Sequence, residues 1–312
     1  MENENKNNYK TNQRKDKSEN VLALSILISS IIIAGAWLYK MDKQNPEFSP
    51  DSLSQEQTTV EKLAEEVIPS EGVIIPVVWG DMGARMVEAG VIDASKFKNL
   101  YSLDGKFDGE YEELLLGKNN GQIKITRKNA QYLLNLFWAL GLSNQNPILE
   151  SREEMNNPTY GGADNYASTA GWTISVGNPM EHYSRHTFFN LTAEQQRMVD
   201  KISAGIYRPC CDNSVHFPDC NHGMAMLGLL EMMASEGASE KEMWQTALAV
   251  NSYWFPDTYM TIGLYKSGQG VGWTDVDPKE VLGKSFSSAS GYARVASEVQ
   301  NPTQSSGGGC SV

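Results

Sequence analysis

Positive charge is in short supply: 26 Lys and Arg face 38 Asp and Glu, a formal charge of −12 over 312 residues. Nucleic-acid binding rests on neutralising phosphates with Lys and Arg, so this balance argues against it, and equally against adhesion to anionic lipid. Histidine and cysteine are rarer still, with four of each. Any metal site or disulfide framework therefore has few residues to draw on. No stretch repeats, which argues against solenoids and propellers. Familiar nucleotide and hydrolase motifs are missing as well. Gly268, Gly270 and Gly272 alternate without a preceding strand or a P-loop lysine, and read as a hinge. Ser287, Ser288 and Ser290 sit in no nucleophile elbow.

Long apolar runs are also missing, with one exception. Residues 21–39, VLALSILISSIIIAGAWLY, carry no charge over nineteen positions. As a helix that is enough to cross a bilayer core of about 30 Å. Trp37 and Tyr39 stand where interfacial aromatics belong, and Lys6, Lys10, Arg14, Lys15 and Lys17 precede the run. The positive-inside rule then predicts a cell-membrane protein with a single-pass signal anchor. Residues 1–20 form its cytoplasmic tail, 40–71 a polar stalk and 72–312 an extracytoplasmic globular domain. Cleavage near Ala34-Gly35-Ala36 is the competing reading, and it exports the same domain.

Within 72–312 the pattern predicts a mostly α, single helical domain with few short strands. VIIPVVW from Val73 reads as a strand, and a second short one is expected at Trp172–Val176. Helices are expected at 81–89, 93–101, 111–116 and Lys128–Leu140, the last with Thr126 as cap and Gly141 as stop. Thr192-Ala-Glu-Gln195 and Ser239-Glu-Lys-Glu242 both fit capping boxes, the second helix running to about Trp254 and ending at Pro256. Further helices are expected at Pro278–Leu282 and Ser290–Val299. Residues 143–180, with their Asn-Pro and Gly-Gly pairs, read as loop.

The domain is organised around YRPCCDNSVHFPDCNHGMAMLGLLEMMASE, residues 207–236. Cys210, Cys211, Cys220, His216 and His222 fall within thirteen positions and lead into a run from Met224 to Met233 broken only by Gly228 and Glu231. A helix apolar all round is a buried one, so about 222–236 is expected to be the central helix, with Gly237 as its stop. Thiolate with imidazole suits Zn, or Cu(I) where soft ligands such as Met224 and Met226 stand nearby. For a metal centre Cys210, Cys211, Cys220 and His222 are the first candidates. His216, His182, His186 and the tail residue Cys310 are weaker ones. His182 and His186 share a face in either a helix or a strand.

Two other chemistries compete for the same residues. In an exported domain an even number of cysteines suits structural disulfides, with Cys210 or Cys211 joined to Cys220 and the other to Cys310. Alternatively Cys220 is a reactive redox thiol with His222 as its base, placed at a helix N-terminus. The string RPCC…FPDCNHGMA, with NSYWFPDTY and the GGGC tail, resembles an uncharacterised family of membrane-anchored prokaryotic proteins. The resemblance spans most of residues 73–312 and implies one coherent domain, without bringing an activity or cofactor. The sequence thus leaves two functional readings, a membrane-anchored metal or redox-thiol domain and a non-enzymatic display domain braced by disulfides.

Overall fold

Two helices crossing at a pair of glycines form the centre of the fold. The computed structural model describes residues 50–102, 107 and 109–299, among which 14 α-helices and one two-stranded sheet occur. In chain order they are α1 (Pro50–Val67), β1 (Val73–Gly80), α2 (Met82–Glu88), α3 (Ala94–Ser102), α4 (Gly109–Leu116), β2 (Asn120–Ile125) and α5 (Ala130–Ser143). There follow α6 (Pro147–Glu150), α7 (Ala167–Ala170), α8 (Ala193–Gly205), α9 (Asn221–Ser235), α10 (Glu240–Trp254) and α11 (Pro256–Gly268). The last three are α12 (Pro278–Val281), α13 (Lys284–Ser287) and α14 (Ala289–Glu298). The mostly α expectation holds.

The chain divides into two units, 1–58 and 59–312. Of the first, residues 50–58 are described, as the opening of α1. The expected span at 21–39 lies outside the described residues, and among those described no helix is long and apolar enough to cross a membrane. In the second unit Leu63, Val67 and Ile68 are buried in the hydrophobic core. The later part of the stretch expected as a polar stalk is therefore built into the globular unit.

Helix α9 is the central helix that the apolar run from Met224 announces, with 13 of its 15 residues buried. Its end is a hydrogen-bonded glycine stop. Gly237 has φ +82°, its N–H donates to the Ala234 carbonyl, and the Ala238 N–H reaches back to Met233, both at 3.0 Å. Against α9 lies α5, in which 13 of 14 residues are buried. Gly141, expected to stop α5, instead lies inside it. A Cβ on Gly141 would stand 2.0 Å from the Met224 carbonyl oxygen, and one on Gly228 would stand 2.4 Å from that of Phe137. Both glycines are there to let two backbones touch. Thr126 is not the cap of α5 either: Asn129 takes that position, and Thr126 Oγ1 only accepts from the Asn129 N–H.

Near this crossing Glu231, on α9, is fully buried. Asn144 Nδ2 donates to its Oε2 at 3.0 Å, while Oε1 has no hydrogen-bond partner among the described residues. Burial pushes the Glu231 carboxyl well above the usual carboxylate range, outweighing the amide groups of Asn144 and Asn146.

Both predicted capping boxes form, at Thr192/Gln195 and Ser239/Glu242. The helix from Ser239 ends at Trp254 as expected, and Pro256 in turn opens α11 at its first helical position, where a missing N–H costs nothing. β1 pairs antiparallel with β2, an element that its polar sequence NGQIKI conceals, and the register shifts between Ile75 and Val78 around Pro76. The strand expected at Trp172–Val176 is absent. Trp172 is buried there and hydrogen-bonds through Nε1 to the Val91 carbonyl at 2.9 Å. In this loop region the side chains of Asn146, Asn157 and Asn178, each before a proline, accept an N–H two residues on and start short helical turns.

Candidate metal centre

The loop between α8 and α9 folds back on itself and brings its two cysteine positions together. After α8 the chain bridges Tyr207 to Ser214, with the Val215 N–H on the Ile206 carbonyl at 2.8 Å. Cys210 and Cys211 lie on the turn between the two bridged residues, the Cys211 N–H donating to the Arg208 carbonyl at 3.1 Å. Phe217, Pro218 and Asp219 then carry the chain to Cys220, the N-cap of α9. Its sulfur accepts from the Gly223 N–H at 3.4 Å. The loop is held from outside as well. The N–H of Ala289, on α14, donates to the Cys211 carbonyl at 2.9 Å, and Ser290 donates through N and Oγ to Asp212 at 2.8 and 2.7 Å. Those two contacts draw the Asp212 carboxyl below its ordinary range.

The sulfurs of Cys210, Cys211 and Cys220 all lie within 4.8 Å of one another, and those of Cys210 and Cys220 are 3.4 Å apart. Among the described residues none of the three is in a disulfide. A tetrahedral zinc ion with Zn–S bonds of about 2.3 Å holds its sulfurs roughly 3.8 Å apart, so the group is within a small adjustment of ligand spacing.

Arg208 organises this cluster. Its side chain is 1 % exposed. Nη1 donates to the Ser214 carbonyl at 2.6 Å, and Nη2 to Cys211 Sγ at 3.1 Å, to the Phe217 carbonyl at 3.2 Å and to Asp219 Oδ1 at 2.5 Å. Burial works against its charge. The sulfurs of Cys220 and Cys211, the Asp219 carboxylate and Cys210 outweigh that and raise the guanidinium above its already high ordinary value. Asp219 is raised too, because burial there exceeds the pull of Arg208. Asn213 Nδ2 donates to its second oxygen at 2.8 Å. Gly223 makes room for all this, since a Cβ there would stand 2.5 Å from Arg208 Nη1. Sequence reasoning passed over Arg208, although it is the one Lys or Arg between Lys201 and Lys241 and stands two residues ahead of the cysteine pair.

The histidines go elsewhere. The His222 ring packs on Phe255 at 4.3 Å and lies 6.1 Å from Trp254; its nitrogens are not members of the sulfur group, and its buried Nδ1 has no hydrogen-bond partner among the described residues. His216 meets Ser203 Oγ through Nδ1 at 3.1 Å and stands 3.8 Å from Glu154 through Nε2. His182 and His186 form their own pair, Nδ1 to Nε2 at 3.0 Å, with His182 Nε2 on the Val176 carbonyl at 2.8 Å. A carbonyl only accepts, so His182 carries its proton on Nε2 and His186 donates from Nε2. Met224 and Met226, the support for copper, are fully buried in the hydrophobic core. Cys310 lies outside the described residues.

The histidine pair makes a pH dependence. Burial, then the neighbouring His182, lowers the His186 pKa from its ordinary 6.5. As pH falls below that value the unfolded chain takes up its proton first, so the contribution of His186 to stability is expected to be flat above it and to decline towards the lowered folded value. Melting temperatures between about pH 5 and 7.5 check this, and the decline should shrink in His186→Gln.

Compared with protein-family models, with curated proteins and with solved structures, the chain matches none of them. Its chemistry has to be read from the geometry of the cluster.

Proposed function

We propose that this protein is a membrane-anchored, extracytoplasmic metal-binding domain that holds a transition-metal ion, zinc first, on Cys210, Cys211 and Cys220. The observation that supports it is the three sulfurs gathered within 4.8 Å beside a buried guanidinium. Charge favours Zn(II) over Cu(I). Three thiolates with a divalent ion leave one negative charge and with a monovalent ion two, and Arg208, which also pairs with Asp219, has at most one positive charge to set against them. The burial of Met224 and Met226 in the core removes the thioether argument for copper. Three protein ligands leave a fourth position for water, a further side chain or a substrate atom, which is the arrangement that catalytic zinc sites use. Anchoring through residues 21–39, with residues 1–20 in the cytoplasm, places the site outside the cell in this reading, and its acidity fits no nucleic-acid partner.

Elemental analysis of the full chain, purified in detergent without a histidine tag or chelator, tests the proposal. About one zinc per chain is expected. Cys211→Ser and Cys220→Ser should each weaken zinc binding about tenfold or more, since serine caps a helix but is a poor zinc ligand. Failure to retain zinc after reconstitution of the reduced protein would sink the metal reading.

A further inference from the structure

The three sulfurs are not equivalent. Cys211 is anchored, its Sγ accepting from Arg208 Nη2 at 3.1 Å while the guanidinium is itself fixed by Ser214, Phe217 and Asp219. Cys210 and Cys220 face one another at 3.4 Å, and a disulfide needs about 2 Å. Cys210 is partly exposed, whereas Cys220 is buried at the start of α9 with the Gly223 N–H on its sulfur. Cys210 and Cys211 are adjacent, and a bridge between neighbours strains the intervening peptide.

We propose that Cys210 and Cys220 are a thiol–disulfide exchange pair acted on by small disulfides, and that closing it ejects the metal. The release step rests on the metal reading above; the pairing does not. The accessible Cys210 thiolate attacks one sulfur of the small disulfide, forming a mixed disulfide and expelling a thiolate. The Cys220 thiolate then attacks the Cys210 sulfur, forming the Cys210–Cys220 bond and expelling the second thiolate. Two electrons pass from the two cysteine thiolates to the small disulfide, which leaves as two thiols carrying whatever protons the cysteines gave up. The metal is left with Cys211 alone and dissociates. Reduction by a dithiol reverses both steps.

The test exposes the reduced, zinc-loaded full chain in detergent to oxidised glutathione, alkylates the remaining thiols and maps cross-links by mass spectrometry, with a chelating dye recording zinc. The expected result is a Cys210–Cys220 cross-link, an alkylated Cys211 and release of about one zinc per bridge formed. Cys211→Ser should still form the bridge, and Cys210→Ser should not. A bridge from Cys220 to Cys211, a bridge to Cys310, or three alkylated thiols after prolonged oxidation overturns the proposal. Running the same oxidation on protein prepared without metal separates the two claims. A bridge in protein that never takes up zinc leaves the pair standing and removes the metal reading, while zinc retained with no bridge does the reverse.

Discussion

Gly228→Ala is expected to lower the stability of the domain by about 3 kcal/mol, the upper end of the usual overpacking range. A single methyl group is a small addition, but here it has nowhere to go. The new Cβ would lie 2.4 Å from the Phe137 carbonyl oxygen, 2.6 Å from the Gly141 nitrogen and 3.0 Å from its Cα. All three are backbone atoms of α5, so no rotamer change relieves the clash and the two most buried helices must separate. Separation in turn opens voids along a core that both helices fill. The better helix propensity of alanine returns only about 1 kcal/mol. Urea unfolding of the variant measures the loss, and an unchanged midpoint would mean that α5 and α9 do not cross at this pair. Gly237→Ala should cost less, because the space beyond Gly237 is open and only its positive φ is at stake.

Arg208→Met should cost about 3–5 kcal/mol, as removing one partner of a buried ion pair does. The loss has two parts. Asp219, itself partly buried, is left without its cation, and the Ser214 and Phe217 carbonyls lose the donors that hold the loop closed. The second variant Asp219→Asn, added to Arg208→Met, is therefore expected to restore part of the stability, and full additivity in that cycle would contradict the pairing. Metal affinity should fall with the charge, about tenfold or more, because the sulfur cluster then lacks the cation that donates to Cys211 Sγ. Arg208→Lys keeps the charge but reaches fewer acceptors, and should lie between the two.

Why the sulfurs meet was not readable from spacing. Cys211 and Cys220 are separated by eight residues, and only the bridge from Tyr207 to Ser214 turns the chain so that they converge. That bridge is held by Arg208 inside the loop, a residue whose partners are two carbonyls and two side chains at uneven spacing, and therefore leave no pattern in the sequence. Histidine proximity misled for the opposite reason. His222 is two residues from Cys220, yet on the first turn of α9 two residues rotate a side chain far round the axis, towards Phe255. By contrast, the central helix, its glycine stop and both capping boxes were legible, because each depends on local chemistry that repeats at fixed offsets. Gly141 shows the limit of that logic. A glycine after an apolar run reads as a stop, and only the neighbouring helix reveals that its missing side chain is a contact.

The carboxyl of Glu231 has a consequence beyond packing. In the unfolded chain it gives up its proton in the ordinary glutamate range, whereas inside α9 burial holds that proton to a higher pH. Between those two points folding takes up a proton from the solution, and the folded molecule there carries one negative charge fewer than the unfolded one. The sign opposes that of His186. Acidification weakens the fold through the imidazole, while a rise in pH above the ordinary glutamate range weakens it through the acid at its centre, so the two proton exchanges act in opposite directions.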